Sequence, residues 1–391
     1  MNVAVDSARF NCGKDEEAVA KAKEIGEHED DLEDLITFTL DRSPTLPEES
    51  ITPVIDGSVT RRGSLYDDIF EIIPVDILAI IFSRWLTIKD ISRLDIAVCS
   101  TAGRIAYLIS VSSKSSTHFG SKKAFGNDYV RWLSARAIAI QHFRGDRVRL
   151  TDEAITDINN QNHNCWGALV HLDLQSCIKV KVPSILKILR YCSKVTTLNL
   201  AASRISNDVL VQVSTTLPLL QSLCLMGNGK VSDPFIIKVS EKCSLIHSLN
   251  LSYCGDKISE NGLVTVCSSL PHLVRLQLAG NFMVTNKVLL SLSNNCPNLK
   301  WLDLDHCVNI TMPVLTVAVR RWRLESLDLP STHTFSVLSD YISLLESTPL
   351  LLRLGVRTVP HGDFECQICQ RYPRLLLDRS SSRADSIRAV F

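Results

Sequence analysis

The chain has 391 residues, of which 45% are hydrophobic and 21% charged, so it is long enough for two or three domains or one long repeat array, and a small disulfide-stapled fold is excluded. Forty-two basic residues balance 42 acidic ones, and without a basic excess we expect no nucleic-acid binding. The sequence has no window of about 18 apolar residues and no amino-terminal signal pattern, so we expect neither a membrane span nor secretion.

The 13 cysteines are odd in number, which disfavours a disulfide framework in a chain of this length. Reduced thiols in the cytoplasm or the nucleus fit better, because disulfides persist in oxidising compartments. Several cysteines recur at a fixed spacing in the second half of the chain. This periodicity predicts a structural role for them.

Residues 1–64 differ in composition from the rest of the chain. Acidic residues cluster at 27–34, and Ser, Thr and Pro dominate positions 43–60. Such a segment cannot bury enough apolar area to offset the entropy of ordering, so we expect a disordered tail. Residues 379–391 are expected to form a second disordered tail.

Residues 65–110 have the pattern of short helices. Pro74 suits the first turn of a helix, where its missing N–H would have no partner. A broad apolar stripe at helical spacing follows, made of Ile77, Leu78, Ile81, Phe82 and Trp85. A second helix is predicted from Asp90, because a carboxylate favours the positive end of a helix dipole.

This segment resembles an F-box, whose usual phrase is Leu-Pro-x-Glu-Ile-Leu-x-x-Ile-Phe, then Leu, then Asp-Leu, then Val-Cys. The matching residues are Ile73, Pro74, Asp76, Ile77, Leu78, Ile81, Phe82, Leu86, Asp90, Ile91, Val98 and Cys99. The chain departs from the family just beyond, because residues 100–103 stand where an F-box generally has a basic residue and a tryptophan.

The F-box resemblance implies docking on a Skp1-like adaptor of a cullin complex. The residues expected to contact the adaptor are Pro74, Ile77, Leu78, Ile81, Phe82, Trp85, Leu86, Ile91, Leu94 and Val98. The alternative interpretation is an amphipathic helical cap that covers the start of a repeat array.

Residues 111–168 have a weaker pattern, and we expect a linker followed by an amino-terminal cap. Residues 129–133 are predicted to be helical, and residues 150–155 have the pattern of a helix start. An irregular first repeat in this region would cover the hydrophobic face that an open array exposes.

An apolar-x-x-apolar-x-apolar phrase recurs through the second half of the chain. It starts at Leu169, Val195, Leu220, Ile246, Leu273, Leu299, Leu324 and Leu351. The steps are 26, 25, 26, 27, 26, 25 and 27 residues, with a mean of 26. Nearly equal steps of this length indicate a repeat array in which each phrase forms a short strand.

Each repeat contains a second phrase, an apolar residue followed by Ser or Thr. The hydroxyl residues are Ser206, Ser232, Ser259, Thr285 and Thr311. A hydroxyl at this point can accept a hydrogen bond from a backbone N–H of the first helical turn, so we predict a helix N-cap. One repeat is therefore a strand, a turn, a helix and a return.

Small polar residues share the ninth position of the repeats, namely Cys177, Asn228, Cys254, Asn281 and Cys307. A small side chain turned inward there can satisfy backbone groups where the strand ends, so we predict that these cysteines are structural. A second set just before the next strand has the same interpretation and consists of Cys192, Cys243 and Cys296.

The repeats resemble the cysteine-containing class of leucine-rich repeat over residues 169–378. We expect about eight repeats and a degenerate closing repeat, whose phrase would start at Leu375, 24 residues after Leu351. The resemblance implies an α/β solenoid, a leucine-rich-repeat horseshoe with a parallel concave sheet and helices on the convex side. The small all-α F-box-like segment would precede it.

Strand residues alternate between faces, so the third, fifth and seventh positions of each repeat are expected on the concave surface. The residues predicted to bind a partner are Arg275, Gln277, Trp301, Asp303, Asp305, Asp328 and Arg353. Asp303 and Asp328 lie at equivalent places on adjacent strands, which costs free energy unless a cation or donor lies there. An aromatic residue beside carboxylates suggests a pocket for a basic segment of a protein; the alternative is structural use of these aspartates.

The sequence contains no phosphate-binding loop, no His-Glu-x-x-His and no Gly-x-Ser-x-Gly motif. We therefore expect a protein without catalytic activity and without a cofactor. Cys366, Cys369 and His361 offer three soft ligands, whereas a closed zinc site needs four, so no metal site is predicted.

The two resemblances together imply an F-box and leucine-rich-repeat protein, the substrate-recognition subunit of an SCF-type ubiquitin ligase. The F-box would bind a Skp1-like adaptor, and the repeats would hold a protein target for ubiquitin-dependent degradation. The alternative is a leucine-rich-repeat scaffold outside any ligase, whose amino-terminal helices only cap the solenoid.

Overall fold

The computed structural model describes residues 126–135, 139–161, 163–330, 337–357 and 364–379. The predicted amino-terminal tail, the F-box-like segment and residues 380–391 lie outside this range. The chain divides into two compact units. One comprises the residues up to Phe143 together with Arg149–Leu169, and the other comprises Arg144–Val148 together with the residues from Val170 onward.

The first unit contains helix α1 (Asn127–Ala135), the start of strand β1 (His142–Arg144) and helix α2 (Asp152–Gln161). The helix predicted at residues 129–133 is α1, and the helix start predicted at 150–155 is the start of α2.

The core of the first unit is aromatic. The rings of Phe143 and Trp166 meet edge to face with their centroids 5.3 Å apart, a geometry that aromatic quadrupoles favour. Asn127 joins α1 to the start of α2, because its side-chain oxygen accepts a hydrogen bond from the backbone N–H of Thr151 at 2.8 Å.

The second unit alternates strands and helices. Its strands after β1 are β2 (His171–Asp173), β3 (Thr197–Asn199), β4 (Ser222–Cys224), β5 (Ser248–Asn250), β6 (Arg275–Gln277), β7 (Trp301–Asp303), β8 (Ser326–Asp328), β9 (Arg353–Gly355) and β10 (Leu376–Asp378). Its helices are α3 (Val182–Tyr191), α4 (Asn207–Thr216), α5 (Asp233–Lys242), α6 (Glu260–Ser269), α7 (Asn286–Asn295), α8 (Met312–Val319), α9 (Leu338–Glu346) and α10 (Phe364–Arg371).

The described strands form one ten-stranded sheet in chain order, from β1 to β10. Neighbouring strands are parallel, and the register is constant, with Leu302 opposite Leu327 and Asp303 opposite Asp328. Parallel strands need a crossover between them, and each helix provides it. The predicted leucine-rich-repeat solenoid is confirmed.

Apolar residues at the first, fourth and sixth positions of each repeat form the core. In the repeat that contains β3, Val195, Leu198 and Leu200 are all 0% exposed. Burying one such side chain contributes about 2 kcal/mol relative to leaving it exposed. Because each repeat buries these residues against its neighbours, the array is stabilised mainly by contacts between successive repeats.

The closing repeat begins one residue earlier than the sequence predicted. Leu376 lies opposite Arg353 in the pairing of β10 with β9, so the first position of this repeat is Arg374 and not Leu375. Three consecutive leucines allow two registers in the sequence, and a shift of one residue exchanges the two faces of a strand. As a result Leu376 is 62% exposed on the edge strand.

The ninth-position side chains turn inward and bind backbone carbonyl groups, as predicted. The Asn228 side-chain amide donates to the carbonyl oxygen of Leu200 at 2.7 Å and to that of Leu225 at 2.9 Å. The Cys254 thiol donates to the same Leu225 oxygen at 3.2 Å. Each of these side chains therefore joins its own repeat to the preceding one.

The eighth position has left-handed backbone geometry, which the repeat pattern does not predict. The residues with positive φ at this position are Ser176, Ala202, Gly227, Tyr253, Gly280 and His306. Gly280 is required for a second reason, because a Cβ there would overlap the ring of Tyr253 in the preceding repeat. Because five different residue types occupy the eighth position, the sequence does not indicate that its backbone must be left-handed.

The predicted N-cap residues precede their helices, but most of their hydrogen bonds differ from the prediction. Ser259 and Thr285 accept from N–H groups of their own helices, whereas Ser206, Ser232 and Thr311 do not. The Ser259 hydroxyl also bonds to the Asp233 carboxylate of the preceding repeat at 2.6 Å. The polar residue that follows the hydroxyl residue thus bonds to the cap of the next repeat in four cases, namely Asn207, Asp233, Glu260 and Asn286.

The described cysteines form no disulfides, and most of them are buried. Burial raises the pKa of Cys243 to about 11, so its thiol stays protonated near neutral pH. Cys296 donates to the carbonyl oxygen of Cys267 at 3.3 Å, which agrees with the structural role predicted for this set. Cys366 and Cys369 on α10 are exposed.

Candidate partner-binding face of the repeat array

The candidate site is the face of the sheet that carries the third, fifth and seventh positions of each repeat, here called the open sheet face. The side chains at these positions alternate with the core leucines, and they come from neighbouring strands about 4.8 Å apart. The strand residues predicted to bind a partner lie on β6 to β9, and Asp305 follows β7. The structure therefore brings all seven residues into adjacent repeats.

Fifth-position side chains fold back onto their own strand ends. The Asp303 Oδ1 atom accepts a hydrogen bond from the backbone N–H of Asp305 at 3.0 Å. Asn199 and Asn250 make the same turn with Ala201 and Ser252. The structural use of aspartate at this position, which the sequence left open as the alternative, is therefore present in the structure.

The Trp301 ring lies beside two cations of the chain itself. The Arg275 guanidinium lies over the ring, with its carbon 4.7 Å from the centroid, and the Lys300 ammonium lies 5.9 Å from it. Lys300 also forms an ion pair of 2.7 Å with Glu325. The attraction of the ring for a cation is thus already used within the protein.

Asp303 is the most unusual carboxyl group of the face. It is 3% exposed, and its Oδ2 atom has no hydrogen-bond partner. Burial raises its pKa above the usual range of a carboxyl group, and the nearby charge of Asp328 raises it further. A buried carboxylate without a second partner is costly, so the protonated form is favoured.

Arg353 joins strands β8, β9 and β10. It donates to Asp328 at 2.9 Å and to Asp378 at 2.7 Å, with a further bond to the Ser326 hydroxyl. Burial alone would lower the pKa of Arg353, but hydrogen bonds and charges from the two aspartates raise it. The cation beside Asp328 therefore comes from the chain itself.

Gly355 provides the space for this ion pair. A Cβ at Gly355 would overlap the Oδ1 atom of Asp328. The glycine stands at the fifth position of its repeat, where other strands carry a polar side chain. Because glycine has no side chain, the Asp328 carboxylate can occupy this space and bind Arg353.

Asp305 is 1% exposed and has two side-chain partners. The Arg357 guanidinium forms an ion pair with one carboxylate oxygen, and the His306 Nδ1 atom lies 3.1 Å from the other. Arg357, Asp378 and Gly355 were not among the residues predicted for this face. Their places in the repeat could have indicated them, because the fifth and seventh positions lie on the open sheet face. Arg357 is at a seventh position, and Gly355 and Asp378 are at fifth positions.

Gln277 also binds within the array. Its side-chain oxygen accepts a hydrogen bond from the amide of Asn250 on the neighbouring strand at 2.9 Å, and the residue is 9% exposed. Gln277 therefore orders the sheet surface and presents little of its side chain to a partner.

The charge that this face exposes differs from the expectation. The predicted pocket for a basic segment needs open carboxylates, but Asp303 and Asp305 are buried, and Asp328 is held by Arg353. The side chain of Lys300 is 46% exposed, whereas those of Asp328 and Asp305 are 15% and 2% exposed. The geometry therefore argues against the basic-segment hypothesis.

The residues predicted to contact an adaptor, from Pro74 to Val98, lie outside the part of the chain that the structure describes. Within the described part, no three His, Cys, Asp or Glu side chains are grouped so that they could hold a metal ion. No described helix has the length and apolar character to span a membrane.

Comparison with known proteins gives partial matches. The chain is 33% identical over 130 residues to the BTB/POZ domain-containing protein FBL11 of Arabidopsis thaliana, which covers 33% of the chain and 13% of that protein. It is 27% identical over 137 residues to the putative F-box/LRR-repeat protein 23 of the same plant, covering 27% of the chain and 30% of the relative. No family model matches the chain.

Among solved structures, the chain is similar to one from the crystal structure of the Rad7 and Elc1 complex in yeast, with a TM-score of 0.40 and 15% identity. The alignment covers 80% of this chain and 94% of that one. The matched segments span less than a third of the two plant relatives. From its repeats and the register of its sheet, the chain is a leucine-rich-repeat protein, and it is similar to proteins named for an F-box joined to such repeats.

Proposed function

We propose that the chain is the substrate-recognition subunit of an SCF-type ubiquitin ligase. In this proposal residues 65–110 dock on a Skp1-like adaptor of a cullin complex, and the open sheet face holds a target protein. The receptor performs no bond chemistry itself. It raises the local concentration of the target near the conjugating enzyme.

The observation that carries the proposal is the combination of an F-box-like phrase with an ordered repeat array in one chain. The array supplies neighbouring strands whose open face spans roughly 40 Å at about 4.8 Å per strand, enough for an interface of about 800 Å². Relatives named F-box/LRR-repeat proteins support the same pairing of segments. Buried, protonated thiols suit a cytoplasmic or nuclear location, which we propose as well.

Adaptor capture tests the proposal. The full chain should retain a purified Skp1-like adaptor, and the double variant Leu78→Asp and Phe82→Asp should lose it, because both substitutions place a charge in the apolar stripe of the F-box-like segment. The matched control is Leu376→Asp, which places the same charge at an exposed leucine of β10, and it should bind the adaptor as the parent chain does.

Two results would contradict the ligase proposal. One is no capture of the adaptor by the parent chain, and the other is equal capture by the Leu78→Asp and Phe82→Asp variant. Either result would favour a scaffold whose amino-terminal helices only cap the solenoid.

A further inference from the structure

The segment that returns from helix α8 to strand β8 carries three arginines in four residues. They are Arg320, Arg321 and Arg323, here called the arginine return, and all three are exposed. Trp322 between the last two is 5% exposed, and its Nε1 atom donates to the carbonyl oxygen of Cys296 in the preceding repeat at 2.9 Å. The tryptophan thus anchors this segment in the core, and the arginines lie on the surface on either side of it.

The charges of the arginine return are not neutralised by the described part of the chain. Arg321 donates to the side-chain oxygen of Asn294 at 2.6 Å, and Arg320 donates to the Ser347 hydroxyl at 3.3 Å. Both partners are neutral, so these bonds orient two guanidinium groups and leave their charge in place. Among the residues that the structure describes, no carboxylate forms an ion pair with any of the three arginines.

The two acids nearest to these contacts along the chain already have cations. Glu325, two residues after Arg323, pairs with Lys300 at 2.7 Å. Glu346, directly before Ser347, pairs with Arg371 at 2.6 Å. Neither acid therefore compensates the arginine return, which leaves a positive excess on this part of the surface.

Capping of helix α8 does not account for the three arginines. A cation near the carboxyl end of a helix is favoured by the helix dipole. The last carbonyl oxygens of α8, however, accept from the backbone, because Arg321 N–H bonds to Ala318 at 3.2 Å and Trp322 N–H bonds to Val319 at 3.1 Å. The arginine side chains are thus not required as donors at this helix end, and Arg323 lies beyond the turn on which the dipole acts.

The arginine return borders a groove of about 440 Å³ between α8 and α9, which Arg320 helps to line. Pro313 and Val317 of α8 give the groove apolar surface, and Val317 is 55% exposed. Asp340, in the first turn of α9, also lines the groove. An acidic group that enters the groove is therefore repelled by Asp340 and attracted by Arg320.

We propose that the arginine return and this groove bind a segment of a partner protein in which an apolar side chain stands beside acidic residues. The apolar side chain lies against Val317, and the carboxylates bind the arginines, whose planar guanidinium groups match the two oxygens of a carboxylate. Arginine is also among the residue types that dominate binding energy at interfaces. The surface belongs to the helix side of the array and not to the open sheet face, so the inference does not depend on the proposed function.

Peptide binding to the full chain tests the inference. Fluorescein-labelled peptides of equal length, each with one leucine beside a run of Glu, Gln or Lys, are titrated and followed by fluorescence anisotropy. The Glu peptide should bind at least about tenfold tighter than the Gln peptide, since close charge pairs at interfaces contribute more than neutral contacts. Tighter binding of the Lys peptide, or equal binding of all three, would overturn the inference.

A charge-matched pair of variants locates the contact. Arg320→Gln with Arg323→Gln should weaken binding of the Glu peptide about tenfold or more. Arg190→Gln with Lys194→Gln removes the same charge from exposed positions of the return after α3, and it should bind as the parent chain does. Equal loss in both variants, or no loss in the first, would overturn the inference. Circular dichroism and the melting temperature establish that both variants are folded.

A second pair of variants tests the groove. Val317→Asp should weaken binding of the Glu peptide, because it replaces the apolar contact by a charge that repels the peptide. Leu290→Asp is the matched control, since Leu290 is 42% exposed on α7, and it should bind the peptide as the parent chain does. Unchanged binding in Val317→Asp would contradict the proposed contact.

Other anions separate a protein-binding site from general attraction. A short oligonucleotide and vesicles rich in phosphatidylserine should bind the chain more weakly than the Glu peptide does. Equally tight binding of either one would refute a site for an acidic protein segment. Adaptor capture by the same variants should equal that of the parent chain, so failure of the ligase proposal and failure of this inference give different results.

Discussion

The Arg353 guanidinium lies 2.9 Å from the Asp328 carboxylate of the neighbouring strand, and this ion pair holds together the last repeats of the described array. Arg353 also reaches Asp378 on the other side, so one side chain connects three strands. The pair is partly buried, with the side chains of Arg353 and Asp328 23% and 15% exposed. An ion pair in this environment is screened less than a surface pair.

Arg353→Met should lower the free energy of unfolding by about 2 kcal/mol, because it leaves two partly buried carboxylates without their cation. Chemical denaturation measures the change. Arg371→Met is the matched control, because it breaks a pair with Glu346 in which both side chains are more than half exposed. The control should change stability by less than about 0.5 kcal/mol; an equal loss in both variants would contradict the assignment.

Asp303→Asn should remove a pH dependence of stability. The folded protein raises the pKa of Asp303, so it binds this proton more tightly than the unfolded chain does. The resulting contribution to stability is present below the ordinary carboxyl pKa and is lost as the pH rises through the raised value. The parent chain should therefore lose about 1–3 kcal/mol more than the variant between about pH 5 and pH 8.

The matched control for this experiment is Asp173→Asn. Asp173 occupies the same position in its repeat and accepts from the backbone N–H of Gln175 at 2.9 Å, but it faces Asn199 on the next strand. Denaturation curves across this pH range should show a smaller difference for Asp173→Asn. Parallel curves for Asp303→Asn and the parent chain would show that Asp303 does not titrate in this way.

Gly355→Ala should destabilise the array by about 1–3 kcal/mol, because the new methyl group overlaps the Asp328 carboxylate and forces it to move. Gly229→Ala is the control, since a Cβ at Gly229 would meet no atom within 4 Å. The double variant Gly355→Ala with Arg353→Met should lose less than the sum of the single losses, because both disturb the same ion pair. If urea denaturation showed that the two single losses of stability add up fully in the double variant, Gly355 and Arg353 would not act on the same ion pair.

Asn228→Ala should lower stability by about 2–3 kcal/mol, because it removes the side-chain amide bonds to the carbonyl oxygens of Leu200 and Leu225 and takes away the acceptor of the Ile205 backbone N–H inside the core. Asn228→Cys should cost less, since Cys254 at the same position of the next repeat binds the Leu225 oxygen. Thermal unfolding of the three proteins checks the order. A cysteine variant as unstable as the alanine variant would show that the thiol cannot replace the amide here.

The regular features of the repeats could be predicted from the sequence, because each is a residue type that recurs at a fixed position. The core leucines recur because each repeat must bury apolar area. Asn and Cys recur at the ninth position, as at Asn228 and Cys254, because a donor there binds a carbonyl oxygen of the preceding repeat. The left-handed eighth position was missed, since residues as different as Ala202 and Tyr253 occupy it. A pattern of residue types cannot reveal a positive φ angle when several residue types adopt that angle.

The sequence predicted which residues lie on the open sheet face, but it did not predict which of them contact one another. The sequence placed Trp301 beside Asp303, and it could not show that Arg275 covers the ring or that Arg353 and Arg357 neutralise the acids. These pairs join residues about 25 to 52 positions apart: 26 from Arg275 to Trp301, 25 from Asp328 to Arg353 and 52 from Asp305 to Arg357. The sign of the exposed charge depends on such pairings, so it required the structure.

Mass-spectrometric identification of the proteins that co-purify with the full chain from cells tests the central claim most directly. The account predicts that a Skp1-like adaptor and a cullin co-purify in amounts comparable to the chain, and that Leu78→Asp with Phe82→Asp removes both while Leu376→Asp retains them. Recovery of the chain with neither subunit would contradict the claim that it is a ligase receptor.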